Sequence, residues 1–526
     1  DMGGWPGSLT GKGVRIALFD TGVDLHHPAF WRAGEPVSWV DSDGDGVLTP
    51  GVDGIDLDGD GRLTSDEVLR LWKAEVRDPY GRYKVEENFD PYTDWLYLDE
   101  NGNGRRDSGF RSSGGVLILG EPAFVPEDED GDGVLEAGEP LRPLNTLKVV
   151  ASLEGLEGWP VEREGPQLAD DPGDPDNHGT PAAGIILGGF PGRRWVGIAP
   201  GAELLVVHRE GLVPEQFVPW AVEMGADVMV YEFGGWVFEF LDGSSNLERT
   251  IDELARKGIV QLTAAGNLAG PTRKKHCRLR IEEEGRTVRV NVPEEYGIRT
   301  IYLTFLWRSP DSLDVEVIAP GGLRFRMVPD GEVREVLGLE TFGNVETSPR
   351  GTHKFDIALN GEEGLEIGVW SFVLKSEGTS FVVDGYLADD VSDWKGGAQF
   401  LDFVTDEGTV AWPGTADEAI TVAAYDPSGL RNPKGEINDF SGRGPRIDGR
   451  RVVDIAAPGS VVFSTWTKEA SGSPGCYGPF EGTSSALPHV AGAAAILLQA
   501  CPYPVSYTHL RAHETEADLV CRLLLE

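Results

Sequence analysis

The amino-acid sequence predicts an α/β fold in which helices flank a parallel β-sheet, with two insertions that interrupt it. Three observations predict this fold. Apolar strand-like segments alternate with helix-like segments towards both ends of the chain, a pattern typical of βαβ units. Residues 41–139 are instead rich in Gly and Asp, and residues 271–394 consist of short alternating runs separated by Gly and Pro. We therefore expect one α/β domain from residues 1–40, 140–270 and 395–504, with two inserted units.

The elements of the α/β domain follow one another at regular intervals. Val14–Phe19 reads as a buried strand that ends at an acidic residue and a Gly-containing turn. Helices are predicted in HGTPAAGIILGG, over residues 214–224 and 246–257, and in the Ala-rich segment SSALPHVAGAAAILLQA. Further strands are predicted in GIAPGAELLVV, ADVMVYEFGG, GIVQLTAAGN, AITVAAYD and VVDIAAPG.

The second insertion, residues 271–394, has the pattern of an all-β unit. It contains alternating runs such as RTVRVNV, TIYLTFLW, HKFDIAL and SFVVDGYLA, separated by Gly and Pro turns and without a helical pattern. Many short strands with regular turn signals indicate a β-sandwich or jelly roll.

Composition and charge exclude several classes of partner. The formal net charge of −41 makes nucleic acid or an anionic membrane an unsuitable partner and makes cations suitable ones. The sequence lacks the roughly 18 uninterrupted apolar residues that a membrane helix requires. Four Cys, at positions 277, 476, 501 and 521, are too few for a disulfide framework in a chain of this size. We expect a monomer without a membrane span that does not bind nucleic acid.

The last residues, 505–526, resemble a translated sequencing adapter. The segment VSYTHLRAHET at residues 505–515 matches a transposon-type adapter, and LVCRLLL at residues 519–525 matches the tail that follows it in frame. We therefore expect the native sequence to stop near Pro504 and the native domain to continue beyond it, and we exclude this tail from fold reasoning.

Four residues supply what hydrolysis of an amide by a serine requires: a base, a carboxylate that orients the base, a nucleophile and donors for the oxyanion. Asp20 follows an apolar strand, His178 opens a helix, Ser484 lies at the start of another helix, and Asn267 ends a strand in AAGN. A helix N-terminus favours developing negative charge near Ser484. Each residue alone could equally cap a turn or a helix.

Together these residues, in this order, resemble the subtilisin-like serine protease family. The matching motifs are DTGVDLHHPAF, HGTPAAGI, GIAP, AAGN, AWPGTADEAITVAA, FSGRGP, APG and GTSSALPHVAG. The resemblance implies that His178 is the general base, that Asp20 sets its tautomer, that Ser484 is acylated, and that Asn267 and the Ser484 N–H bind the oxyanion. It implies a structural role for His26, His27 and His489.

The same resemblance implies which residues bind substrate. They are Glu232, Phe233, Gly234, Gly235, Ala265 and Gly266. The family usually has Ser-Leu-Gly-Gly where this chain has Glu232 to Gly235, so the charge of Glu232 is expected to alter substrate preference. Gly234 leaves room for an extended substrate to pair as an added strand. Pro181 and Ala182 are a milder departure after the HGT motif.

Two acidic loops carry the full pattern of an EF-hand calcium loop, in which oxygen ligands recur at alternate positions and a Gly stands sixth. The segment DLDGDGRLTSDE offers Asp56, Asp58, Asp60, the carbonyl of Arg62, Thr64 and Glu67. The segment DEDGDGVLEAGE offers Asp128, Asp130, Asp132, the carbonyl of Val134, Glu136 and Glu139. An acidic loop without metal is the alternative interpretation.

Two further loops match only in part. DSDGDGVLTPGV keeps Asp41, Asp43 and Asp45, but has Val52 at position twelve, so that Asp53 would have to substitute. DENGNGRRDSGF keeps Asp99, Asn101, Asn103 and Asp107 and lacks the final carboxylate. A helix is predicted after the second of the four loops only, in SDEVLRLWKAEV. We expect Ca²⁺ to order these loops and stabilise the fold.

The resulting hypothesis is a secreted, calcium-stabilised serine endopeptidase that acts on proteins or peptides, with a prodomain before maturation and a chain that starts near its mature N-terminus. One alternative is a calcium-dependent binding module on an inactive protease scaffold. Another is a serine-carboxyl peptidase, which also has a GTS nucleophile motif but uses a catalytic Glu in place of the histidine. His178 argues against this second alternative.

Overall fold

The computed structural model describes residues 9–78, 83–84, 88–107, 109–282, 284–376, 380–471 and 475–501. The adapter-like segment, residues 505–526, lies outside the described residues. Within the described residues, the structure contains no helix that is both long and apolar enough to cross a membrane.

The centre of the molecule is an eight-stranded sheet. Seven of its strands are parallel, and Trp159–Glu164 is antiparallel to its neighbour. Residues such as Ala17 and Leu18 are fully buried on opposite faces, as expected for a parallel sheet covered on both sides. The spatial order of the strands is Trp159–Glu164, Val149–Leu156, Glu203–His208, Arg15–Asp20, Val228–Tyr231, Val260–Ala264, Ile420–Tyr425 and Ile455–Pro458.

Helices cover this sheet close to the predicted positions. The segment predicted as a helix over residues 246–257 begins with a capping box, in which Ser245 and Glu248 accept each other's backbone N–H. The helices are Gly179–Leu187, Pro214–Glu223, Asn246–Arg256, Lys468–Ser471 and Thr483–Ala500, with 3₁₀ turns at Pro28–Phe30, Gly165–Asp170 and Glu294–Tyr296.

The acidic loops are carried by short strands. A five-stranded antiparallel sheet has the order Trp31–Ala33, Leu141–Leu147, Ala123–Pro126, Trp95–Leu98 and Leu69–Trp72. A hairpin joins Phe110–Ser113 to Val116–Leu119. A four-stranded sheet contains Val462–Trp466, Cys476–Phe480, Glu75–Arg77 and Tyr83–Lys84.

The prediction of a helix in SDEVLRLWKAEV is wrong. This segment forms two strands, Leu69–Trp72 and Glu75–Arg77. The first strand pairs with Trp95–Leu98, which buries Leu69 and packs Trp72 against Trp95 with 5.6 Å between ring centroids. Pairing with a distant strand thus overrides the local helical pattern, because it satisfies the backbone and buries the apolar side chains together.

The all-β segment folds into two antiparallel sheets that enclose one hydrophobic core, to which Val290, Phe305 and Phe372 contribute. The first sheet has the order His276–Ile281, Phe381–Asp389, Thr300–Trp307, His353–Gly361, Leu339–Thr347 and Asp330–Val336. The second has the order Arg324–Arg326, Asp314–Ile318, Gly368–Lys375, Arg286–Val292 and Gln399–Phe400.

Polar contacts fasten this two-sheet unit to the α/β unit. Arg350 makes a two-pronged ion pair with Asp417, with N–O distances of 2.9 and 2.8 Å. Trp236 donates its ring N–H to the carbonyl of Leu387 at 2.8 Å. Trp236 follows the carboxyl end of Val228–Tyr231, whereas Asp417 precedes Ile420–Tyr425. The two-sheet unit therefore contacts segments at both ends of the parallel strands.

Candidate active site

The four predicted residues of the reaction converge on one cleft of about 370 Å³. Two of them, Asp20 and Asn267, follow from strand order, because Arg15–Asp20 and Val260–Ala264 flank Val228–Tyr231 in the sheet and these parallel strands end at the same edge. This edge is where α/β proteins bind their ligands. Asp20, His178, Asn267 and Ser484 all line the cleft.

Asp20 and His178 form a close pair. Nδ1 of His178 lies 2.7 Å from Oδ1 of Asp20, and the Asp20 side chain is almost wholly buried. Burial disfavours the charged imidazolium, but the charge and hydrogen bond of Asp20 outweigh it and raise the pKa of His178 to about 9. The pair leaves Nε2 of the imidazole available to the cleft.

A network that the sequence did not predict holds this pair in place. Thr21 donates its hydroxyl to Asp174 at 2.7 Å, and Asp174 also accepts the backbone N–H of Thr180 at 2.7 Å. The N–H of Gly179 donates in turn to the Thr21 hydroxyl at 3.0 Å. The strand that bears Asp20 is thereby joined to the first turn of the helix that follows His178.

Ser484 lies in the first turn of the helix Thr483–Ala500. The first N–H groups of a helix have no partner within it, so they are available to an anion. No hydrogen bond joins His178 to Ser484 in the described part of the chain, and catalytic contacts of this kind often tighten only when substrate binds.

Asn267 is oriented by the residue before the serine. Its Oδ1 accepts the backbone N–H of Thr483 at 2.9 Å and the Thr483 hydroxyl at 3.2 Å. Because the amide group is planar, this anchoring of Oδ1 directs Nδ2 away from Thr483. The side chain lines the cleft and is placed to donate a hydrogen bond there.

Glu232 places a second carboxyl group in the cleft. Its oxygens are shielded from solvent and make no well-formed hydrogen bond within the described residues, although the Ser484 hydroxyl lies near enough to favour the ionised form. Burial and the charge of Asp20 raise the pKa of Glu232 well above its usual range. The Glu232 charge in turn helps to raise the pKa of His178.

The structure divides the predicted substrate-binding residues into two groups. Glu232, Phe233, Gly234 and Gly266 line the cleft. Gly235 exchanges backbone hydrogen bonds with Trp412, and the buried Ala265 donates its N–H to Val422 and accepts from Ala411. Gly235 and Ala265 therefore support the cleft wall from behind, because their backbone groups already have partners.

The three other predicted histidines lie outside this arrangement. His27 is fully buried against the carbonyl of Cys476, and His489 bonds the carbonyl of Ser485. Burial lowers the pKa of His27 to about 3 and that of His489 to about 4, so both remain neutral. His26 stacks on Phe110 with 4.3 Å between ring centroids.

The two complete acidic loops share one geometry. Carboxylate oxygens of Asp56, Asp58 and Glu67 lie within 4.8 Å of one another, and so do those of Asp128, Asp130 and Glu139. The last carboxylate of each loop accepts the N–H groups of the second and ninth loop residues. Such convergence of hard oxygen donors fits Ca²⁺.

In the first partial loop, Asp53 takes over the position of the missing Glu. Its two oxygens accept the N–H groups of Ser42 at 2.8 Å and Thr49 at 2.6 Å, the second and ninth residues of that loop. Asp53 is fully buried, and carboxylate oxygens of Asp41, Asp43 and Asp45 converge beside it. This loop is therefore closed by the same two backbone contacts as the complete loops, but the closing carboxylate stands one residue later in the sequence.

In the other partial loop, the closing carboxylate comes from outside the loop. Glu121 accepts the N–H of Asp107, the ninth residue, at 2.7 Å. Its other oxygen is buried and has no hydrogen-bond partner among the described residues. Sequence reasoning missed Glu121 because it follows the hairpin Phe110–Leu119, beyond the twelve-residue pattern.

A carboxylate–imidazole pair beside a serine at a helix N-terminus is the arrangement of serine hydrolases. The comparisons with known proteins agree with this assignment to the serine hydrolases. The subtilase family model matches residues 11–382 and 398–520, and the chain belongs to this family.

Individual relatives match over short stretches. Subtilisin of Bacillus sp. (strain TA39) is 37% identical over 95 residues, which is 17% of this chain and 21% of the relative. Serine protease AprX of Bacillus subtilis (strain 168) is 34% identical over 106 residues, or 18% and 24% of the two chains. The matched stretches therefore span about a quarter or less of these relatives.

A solved structure resembles this fold over a greater length. The CspB protease of Clostridium perfringens has a TM-score of 0.60 at 18% identity, covering 94% of this chain and 84% of the other. At this level of identity, the comparison shows a shared fold.

Proposed function

We propose that this protein is a serine endopeptidase that hydrolyses peptide bonds through an acyl-enzyme intermediate. The observation that carries the proposal is the 2.7 Å contact between the buried Asp20 and His178, in the cleft that Ser484 and Asn267 also line. This pairing also disfavours a serine-carboxyl mechanism, since the imidazole holds the place of the general base.

In the proposed reaction, His178 takes the hydroxyl proton as Ser484 attacks the substrate carbonyl. Asp20 stabilises the imidazolium that forms, and its contact with Nδ1 presents Nε2 to the serine. The Asn267 amide and the Ser484 N–H bind the oxyanion. His178 then returns the proton to the leaving amine, and water deacylates Ser484 by the same steps.

We further propose that the four acidic loops bind Ca²⁺. Asp53 and Glu121 would complete the two partial loops, because each bonds the same N–H that the final Glu bonds in the complete loops. Bound Ca²⁺ would offset the repulsion among these carboxylates and order the segment between Asp20 and His178. Among the described residues of the four loops, none lines the cleft, so the expected effect of Ca²⁺ is on stability.

The proposal extends to the setting of the enzyme. Residues 271–400 would be an accessory unit, because Gln399–Phe400 pairs within its second sheet and extends it beyond the predicted boundary at residue 394. Residues 41–139 would be a calcium-binding unit, and residues 1–40, 140–270 and 401–504 the catalytic domain. Secretion is proposed because millimolar extracellular Ca²⁺ saturates such loops and because one relative is named "Minor extracellular protease Vpr" of Bacillus subtilis (strain 168). Substrates would be proteins or peptides, and maturation would remove a prodomain.

A fluorophosphonate probe tests the proposal, because it labels only an activated serine. We expect the parent protein to be labelled and to hydrolyse peptides, and Ser484→Ala to lose both properties while keeping its melting temperature. Ser380→Ala is the matched control, since Ser380 is an exposed serine of the two-sheet unit, and it should behave as the parent. A folded parent that is not labelled would refute the proposal and favour a calcium-dependent binding module.

A further inference from the structure

Two glycines line the cleft next to the proposed oxyanion site. Gly266 directly precedes Asn267, and Gly234 lies on the neighbouring strand end. A substrate carbonyl held between Ser484 and Asn267 belongs to the residue before the scissile bond. For an extended substrate that pairs as an added strand along Gly234, the side chain of that residue projects towards the space between these two glycines.

The ring of Trp394 occupies this space. A Cβ atom built on Gly234 would lie 3.2 Å from Cη2 of Trp394, and one built on Gly266 would lie 3.1 Å from its Cζ3. The methyl group of Ala411 closes the same space from another side, at 3.1 and 2.8 Å from these two positions. The space that the glycines leave open is thus filled by an indole from the two-sheet unit.

Packing and hydrogen bonds hold Trp394 in place. Its ring packs against that of Trp236 in a tilted arrangement, with 4.6 Å between centroids, and Trp236 is itself fixed by its hydrogen bond to the Leu387 carbonyl. The loop that carries Trp394 is closed at its base by Asp389, which accepts N–H groups from Ser392 at 2.6 Å and Ala398 at 2.8 Å.

A buried ion pair anchors that base. Lys275 lies 3.0 Å from Asp389, and both side chains are fully buried. Separating a buried ion pair costs free energy, because it leaves an unpaired charge in the interior. Lys275 and Asp389 are therefore held together. The loop with Trp394 is therefore a fixed part of the cleft.

We propose that Trp394 determines specificity by excluding large side chains before the scissile bond, so that the enzyme cleaves after Gly or Ala. This inference rests on the proposed endopeptidase function. A larger side chain would have to displace the indole from Trp236 and both glycines. One methylene in an apolar pocket already changes kcat/KM by about 10- to 200-fold, so discrimination against Phe should be at least about 100-fold.

Peptide p-nitroanilides that differ only in the residue before the scissile bond test this proposal. For the parent, kcat/KM should be at least about 100-fold higher with Ala than with Phe. Trp394→Ala should reduce that ratio at least tenfold by raising kcat/KM for Phe. Trp159→Ala, which removes a tryptophan that is 76% exposed on the edge strand of the central sheet, should leave the ratio unchanged. Equal cleavage after Ala and Phe by the parent, or an unchanged ratio in Trp394→Ala, would overturn the proposal.

A binding measurement separates this inference from the proposed function, because it requires no chemistry. In the Ser484→Ala background, Trp394→Ala should create a cavity that takes up free indole, detected by calorimetry and by a rise in melting temperature. The Ser484→Ala protein with Trp394 intact should not bind indole. If indole does not bind the double variant, Trp394 does not fill the pocket, whatever the outcome of the serine labelling.

Discussion

Asn267 offers a test in which the structure separates catalysis from stability. Replacing Asn267 by Ala removes the amide that we propose donates to the oxyanion, a loss of about 2.7–4 kcal/mol or roughly 10²–10³ in kcat. It also removes the acceptor of the Thr483 N–H, whose residue is 1% exposed. An orphaned buried donor costs about 1–3 kcal/mol, so this variant should also lose stability.

Asn267→Asp distinguishes the two effects. The carboxylate keeps an oxygen for the Thr483 N–H but cannot donate to the oxyanion and adds a repelling charge. We expect its kcat to fall at least as far as that of Asn267→Ala, with a smaller loss of stability. Steady-state kinetics on a peptide amide and urea unfolding measure the two quantities. A kcat within tenfold of the parent in Asn267→Asp, or an effect confined to KM, would refute the assignment.

Three further predictions concern pH, metal and a buried ion cluster. Because the base must be neutral, kcat/KM should rise about tenfold per pH unit up to the pKa of His178, about 9. Glu232→Gln should move the midpoint of this pH–rate profile to lower pH. An unchanged midpoint would contradict the role of Glu232 in raising the pKa of His178. Equilibrium dialysis should show one fewer bound Ca²⁺ in Glu121→Gln than in the control Glu100→Gln. Chelation of Ca²⁺ should lower the melting temperature of the parent protein. Equal Ca²⁺ stoichiometry in the two variants would show that Glu121 is not a ligand. Burial opposes ionisation of Asp417, but hydrogen bonds from arginines hold its pKa at about 2, below the ordinary 3.8. The ionised form of Asp417 therefore stabilises the fold above pH 4, and this stability is lost as the pH falls towards 2. Asp417→Asn should cost about 2 kcal/mol at pH 7 and little near pH 2, as measured by urea unfolding, and an equal cost at both values would contradict this pKa.

The residues that sequence reasoning located are those whose position follows from local pattern. Asp20 and Asn267 each follow an apolar run, and parallel strands bring such run ends to one edge. The glycines and alternating acids of the complete loops are equally local, since their spacing lies within twelve residues. The positions of these strand-end residues and loop residues could therefore be predicted without knowledge of distant contacts.

The residues that sequence reasoning missed depend on long-range pairing. Thr483 anchors Asn267 from 216 positions away, and Trp394 reaches the cleft only because a separate two-sheet unit packs beside it. Glu121 reaches its loop through the return of a hairpin. The incorrect helix after Glu67 has the same origin, since the strand Trp95–Leu98 that pairs with Leu69–Trp72 comes later in the chain. No local pattern encodes such partners.

The position of the closing carboxylate determines whether an acidic loop can be grafted into another protein as one contiguous peptide. The segments 56–67 and 128–139 each carry their own closing residue, so either could be grafted as a contiguous peptide into another scaffold and retain its donor set. The loop that begins at Asp99 could not, because Glu121 would be left behind unless the whole hairpin were moved with it. Circular permutation between residues 110 and 119 would separate this loop from its closing Glu121 in the sequence.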